Sequence, residues 1–121
     1  MKERNDMTDI DVIAREHLSA AGGATHGRSA AMVAQDGPLR QTVLALRAGA
    51  VLGEHNAPLA ASIYVLEGSV TVVSAGGRLV VNENQLEIVP QERHSVEANE
   101  DSVFLLTAVT ETHLDSGSSK A

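Results

Sequence analysis

Turn-forming residues recur at short, nearly even intervals from Ser29 onward: Asp36-Gly37-Pro38, Gly49, Gly53, Pro58, Gly68, Gly76-Gly77, the asparagines within 82–84, and Pro90. Between them the apolar residues follow a period of two, and the pattern predicts strands over 29–34, 39–47, 61–67, 69–75, 78–81, 85–89, 93–98 and 102–110. Short strands at this pitch form an antiparallel sandwich or barrel. The Ala75-Gly76-Gly77 stretch is expected at a hairpin tip, because glycine tolerates the positive φ such turns demand.

Ahead of the strands the period is helical. Thr8, followed three residues later by Asp11, resembles a capping box, and Ile10, Ile13, Ala14, His17, Leu18 and Ala21 fall on one face. A short amphipathic helix over 8–21 is expected, stopped by Gly22-Gly23 and in need of a surface to cover. The organisation expected is an arm and helix over 1–28, a barrel over 29–111, and a polar, disordered tail over 112–121.

At 121 residues, 43% of them hydrophobic, the chain has room for one domain and one core. It has no cysteine, so disulfides and thiolate chemistry are excluded. Aromatic residues are limited to Tyr64 and Phe104, which makes the core aliphatic and denies any pocket a stacking platform. The formal net charge is −7, with acidic residues crowding the second half, and this repels phosphate backbones and anionic lipid. Neither nucleic acid nor a membrane is therefore expected as a partner. Apolar runs such as 63–66 and 103–106 are far too short to span a bilayer. The first residues, Met-Lys-Glu-Arg-Asn-Asp, carry no apolar signal region, and a cytoplasmic protein is expected.

Five residues of the barrel region carry a further pattern. Gly49 is followed after five residues by His55, and Gly68 closes the segment; Pro90 and His94 follow. This spacing resembles the first cupin motif, G-x5-H-x-H-x3-E-x6-G, with both end glycines and the first histidine in register. The second histidine and the glutamate of that motif are replaced by Ala57 and Ala61. The second cupin motif, G-x5-P-x-G-x2-H-x3-N, is matched more loosely by the stretch 86–94. There the proline-to-histidine spacing is one residue short, the interior glycine is missing, and Ala98 takes the place of the asparagine. The chain thus resembles a small single-domain cupin of the cupin 2 conserved barrel type with degenerate metal motifs. The resemblance implies an all-β fold, an antiparallel double-stranded β-helix (a jelly-roll barrel, RmlC-like) with the short helix in front.

In a metal-binding cupin, three histidines and one glutamate hold a divalent metal at the barrel mouth. Carried over residue by residue, the resemblance leaves His55 and His94, fewer protein ligands than catalytic metals normally keep. Three readings of the pair stay open. The histidines hold Fe, Mn, Zn or Ni with a further donor, for an isomerase- or dioxygenase-like reaction; or they hydrogen-bond a small ligand in a pocket widened by Ala57 and Ala61; or they are polar remnants at the barrel rim. The reading adopted is a small-molecule-binding barrel of unidentified ligand, with His55, His94, Gln41, Arg47, Ala57 and Ala61 as candidate binding residues.

The remaining features carry less chemistry. His17 belongs to the helix's apolar face, His26 to a connector and His113 to the tail, and nothing places a partner beside them. Ser69, Ser95 and Ser102 lack a nucleophile-elbow pattern. Arg40 and Arg47 flank a strand, either as its solvated ends or facing an anionic ligand. Strand parity turns Ala61, Ile63 and Val65 inward and Tyr64 and Leu66 outward, and the stretch 103–109 is apolar on both faces. That surplus of apolar surface leads to the expectation of a homodimer.

Overall fold

The computed structural model describes residues 7–55 and 59–110, with Glu54 and His55 described in backbone only. The described residues form a helix, α1 (Ile10–Gly23), and the strands β1 (Arg28–Asp36), β2 (Leu39–Leu46), β3 (Val51–His55), β4 (Ala60–Glu67), β5 (Ser69–Ser74), β6 (Gly77–Asn82), β7 (Leu86–Ile88), β8 (His94–Ala98) and β9 (Ser102–Val109). The strands form a five-stranded sheet in the order β1-β2-β9-β4-β7 and a four-stranded sheet in the order β3-β8-β5-β6. Every pairing is antiparallel. This is the antiparallel double-sheet architecture that the turn spacing called for, with the hairpin at Ala75-Gly76 between β5 and β6.

The main core lies between the sheets. Leu44, Leu46, Ile63, Val65 and Phe104 of the larger sheet meet Val70, Val72, Val81 and Val96 of the smaller one. Each comes from a strand whose neighbouring residues point the other way, so alternation along the chain translates directly into an inside and an outside. Ile63 and Val65 are inward as expected, while Tyr64 faces outward and its hydroxyl donates to Asn84 Oδ1 at 2.9 Å.

A second core lies on the outer face of the larger sheet, under the helix. Ile10, Ile13, Ala14, Leu18 and Ala21 pack on Val43, Ala45, Val103, Leu105 and Leu66. This explains why β9 is apolar on both faces: Phe104 and Leu106 enter the inter-sheet core while Val103 and Leu105 meet α1. A good part of the two-faced apolar surface is thus covered within one chain. Among the large apolar residues that stay exposed are two on the edge strand β7, Leu86 at 64% and Ile88 at 69%.

The helix starts later than the sequence suggested. Asp9, not Thr8, is the N-cap, its carboxylate accepting from Val12 N at 3.3 Å, and the helix then runs through both glycines to Gly23. An aspartate immediately ahead of the first apolar contact, Ile10, satisfies an orphan N–H and complements the helix dipole, which a capping threonine does less well. His17 on this helix hydrogen-bonds Ser29 Oγ at 2.6 Å and ties α1 to β1.

Strand β3 was not anticipated, although it carries one of the candidate histidines. Its five residues show no alternation, Gly53 interrupts them, and the pairing with β8 is irregular between Leu52 and His55. A short bulged strand leaves almost no periodic signal, and only its partner identifies it. Among the described residues no helix is long and apolar enough to cross a membrane. Ala57, His113 and the tail over 112–121 lie outside the described residues.

Candidate functional site

His94 is the first residue of β8 and takes the inward parity shared with Val96 and Ala98, both in the inter-sheet core. It is 3% exposed. In the smaller sheet His94 has two cross-strand partners, His55 on β3 and Ser74 on β5. One row of the sheet therefore reads His55, His94, Ser74, Gly77. The next row, Leu52, Val96, Val72, Leu79, is aliphatic throughout.

The ring of His94 is oriented by the backbone. Its Nδ1 lies 3.0 Å from the carbonyl oxygen of Glu92. A carbonyl only accepts, so Nδ1 carries the proton in this contact. The same residue reaches the neighbouring hairpin with its side chain, Glu92 Oε2 accepting from Gly76 N at 3.3 Å. Between them lies a cavity of about 260 Å³ lined by Val72, Ser74, Arg78, Leu79, Pro90 and Glu92, together with Gly76 and Gly77 of the hairpin; His94 lies next to it and is not one of its lining residues. Aliphatic walls with a few converging polar groups are the usual make-up of a small-molecule site. Phe104 is sealed in the core and Tyr64 faces outward, so neither aromatic residue serves this cavity.

Of the other candidate residues, Ala61 is inward and partly buried against the inter-sheet core. Gln41 and Arg47 are not brought to the mouth. Both share the parity of Val43 and Ala45, which face α1, and lie on the opposite face of the larger sheet from Ala61. Gln41 Nε2 donates to Thr107 Oγ1 at 3.1 Å, beside a shallow depression of about 220 Å³ on that outer face. Arg47 Nη1 donates to the carbonyls of Gly22 at 3.2 Å and Ala24 at 3.3 Å, closing the end of the helix. Arg40 likewise turns to local carbonyls, those of Gly37 and Leu39. Ser74 is the addition that the fold makes, while Glu92 was already a candidate further donor beside the two histidines. Ser74 was legible in principle, since it continues the alternation Val70, Val72 toward a hairpin.

Among the described residues no group of three or more His, Asp or Glu side chains is placed to hold a metal ion. Ala61 supplies none at the inward position where the resemblance implied a glutamate.

No family model and no curated protein matches the sequence. Solved structures do match. A conserved protein of unknown function from Streptococcus pyogenes superposes with a TM-score of 0.66 at 25% identity, over 73% of this chain and 78% of that one. A cupin 2 conserved barrel domain protein from Leptotrichia buccalis matches with a TM-score of 0.63 at 25% identity, over 69% of this chain and 41% of that one. A salicylate 1,2-dioxygenase from Pseudaminobacter salicylatoxidans gives a TM-score of 0.66 at 18% identity, over 81% of this chain and 33% of that one. The fold thus hosts both an enzyme and proteins without an assigned activity, and function has to be argued from the site. Two antiparallel sheets closed around an aliphatic core, with the motif glycines and His94 at the expected stations, make this chain a small cupin-fold protein.

Proposed function

We propose that the protein binds a small metabolite in the mouth of the barrel and does not turn it over. The observation that carries this reading is His94: an inward imidazole, 3% exposed, whose Nδ1 proton is committed to a backbone carbonyl beside an aliphatic cavity. A polar side chain fixed among aliphatic neighbours is what orients a small ligand in a mostly apolar site. Ser74, the cross-strand partner of His94 on β5, supplies a second polar contact at the cavity. Without aromatic walls, selectivity rests on aliphatic shape and on these hydrogen bonds. A cavity of about 260 Å³ restricts the ligand to a compact molecule.

The test is to purify the protein without a metal-chelating tag, measure Fe, Mn, Zn and Ni by elemental analysis, and screen a metabolite panel by thermal shift. The expected result is metal well below one per chain, together with stabilisation by a small molecule that His94→Ala abolishes. Stoichiometric, tightly held metal that is lost in His55→Ala would overturn the reading in favour of a divalent-metal-dependent enzyme of the isomerase or dioxygenase kind.

A further inference from the structure

Arg40 differs from its neighbours on β2 in the face it takes. Gln41 and Val43 belong to the face that carries α1, so Arg40 and Thr42 share the opposite parity, that of Leu44 and Leu46 in the inter-sheet core. The register extends this inner row across the larger sheet as Gln35, Arg40, Ala108 and Ala61. It lies at the end where β4 begins. Residues 56–59 alone separate Ala60 from His55, so the row of His55, His94 and Ser74 lies at the corresponding end of the smaller sheet. Burial falls along the inner face toward this end: Leu44, Ile63 and Phe104 are buried, whereas Thr42, Leu106, Arg40, Ala108 and Ala61 are half-buried. The guanidinium is only partly used. Its Nη1 donates to the carbonyls of Gly37 and Leu39, which leaves the edge formed by Nε and Nη2 without an acceptor among the described residues. Carbonyls orient the group without neutralising it, and Asp36, the acidic residue of the β1–β2 hairpin, pairs with Leu39 and takes the opposite parity.

We propose that the barrel takes a small carboxylate and that Arg40 receives it through Nε and Nη2, at the same end of the barrel as the histidine row. That edge of a guanidinium matches both oxygens of a carboxylate, and a half-buried site strengthens the paired bonds. Ala108 and Ala61 are the matching half of the device. Beside the guanidinium the inner row carries methyl groups alone, which leaves space for the anion. The net charge of −7 repels large polyanions, so a compact anion is the fitting partner. The inference deepens the proposed binding function and rests on it.

Succinate and propionate are titrated into the full-length protein, each against its neutral amide, and followed by NMR of the arginine Nε–H and the backbone amides. The carboxylates are expected to shift the Arg40 Nε–H and the amides of Ala61 and Ala108, and the neutral amides to leave them in place. Arg40→Gln, which keeps donors but loses the charge and the fork, should weaken carboxylate binding about tenfold or more, the worth of a charge-assisted hydrogen bond. Ala108→Leu, which fills the row and leaves the hairpin bonds of Arg40 intact, should weaken it as well. Backbone spectra establish that each variant is folded. Carboxylates that bind the wild type no better than their amides, or that bind folded Arg40→Gln and Ala108→Leu as well as the wild type, would overturn the proposal. If a neutral metabolite stabilises the protein through His94 while carboxylates leave Arg40 unmoved, the binding function stands and the role of Arg40 fails. If carboxylates bind at Arg40 equally well in His94→Ala, the role of Arg40 stands and the part given to His94 fails.

Discussion

His55 and His94 are direct partners in the antiparallel pairing of β3 with β8, although one follows Gly49 in the first motif and the other follows Pro90 in the second. Residues opposite one another on adjacent antiparallel strands share a face and stand within side-chain reach. The pairing therefore joins the two motif remnants in one row, and Ser74 extends that row on the other side of His94.

Replacing His94 is expected to separate binding from folding. His94→Gln retains polar atoms in a volume close to that of the ring, and a loss of stability of about 1–2 kcal/mol is expected from the changed packing and the altered bond to Glu92. Ligand-induced stabilisation should disappear in the same variant. Thermal denaturation with and without the stabilising metabolite reads both quantities.

The two motif glycines should differ in how much they matter. Gly68 has φ +91°, and a Cβ there would run into Asp101 O and Ser102 Oγ, with Ser102 fully buried and bonded to Ser69. Gly49 has φ +86° with nothing near the added carbon. Gly49→Ala should cost about 1–2 kcal/mol, the strain of a left-handed alanine alone. Gly68→Ala should cost about 3 kcal/mol or more, because strain and overlap with backbone combine. Urea denaturation curves with equal slopes would give the comparison.

Arg47→Ala is expected to lower stability by about 0.5–1.5 kcal/mol through the lost bonds to the helix carbonyls and to leave metabolite binding unchanged. An unchanged melting temperature with weakened binding would instead put Arg47 at the ligand site.

The helix should be structural. Leu18→Ala removes part of a half-buried contact with the outer face of the larger sheet and should cost about 1–2 kcal/mol. Deleting residues 1–23 would bare Val43, Ala45 and Val103, and aggregation is the expected outcome in light scattering.

Exposed Leu86 and Ile88 lie on β7, the outer strand of the larger sheet, whose free edge is open to pairing with a second copy. A dimer is expected by light scattering at micromolar concentration, converted to monomer by Ile88→Lys. A wild-type monomer under those conditions would sink this expectation.

The sequence by itself determined the sheet architecture. Alternation between closely spaced turns decides which residues face a common core, and helical spacing ahead of them decides that α1 has one apolar side; both are local properties of the chain. It also marked His55, His94 and Ala61, through motif spacing. Only the tertiary structure decided what each candidate residue meets. Gln41 and Arg47 resembled pocket residues because a strand's sequence shows that its two faces differ but not which face meets the other sheet, and packing turned theirs toward Thr107 and the helix end. Strand β3 was invisible because a bulged five-residue strand has no period of its own and exists through its pairing with β8. Glu92 and Ser74 join the site for the same reason. Ser74 pairs with His94 across the β5–β8 ladder and the Glu92 carboxylate meets Gly76 of the β5–β6 hairpin, contacts set by three-dimensional register, whereas the Glu92 carbonyl meets His94 as a near neighbour along the chain.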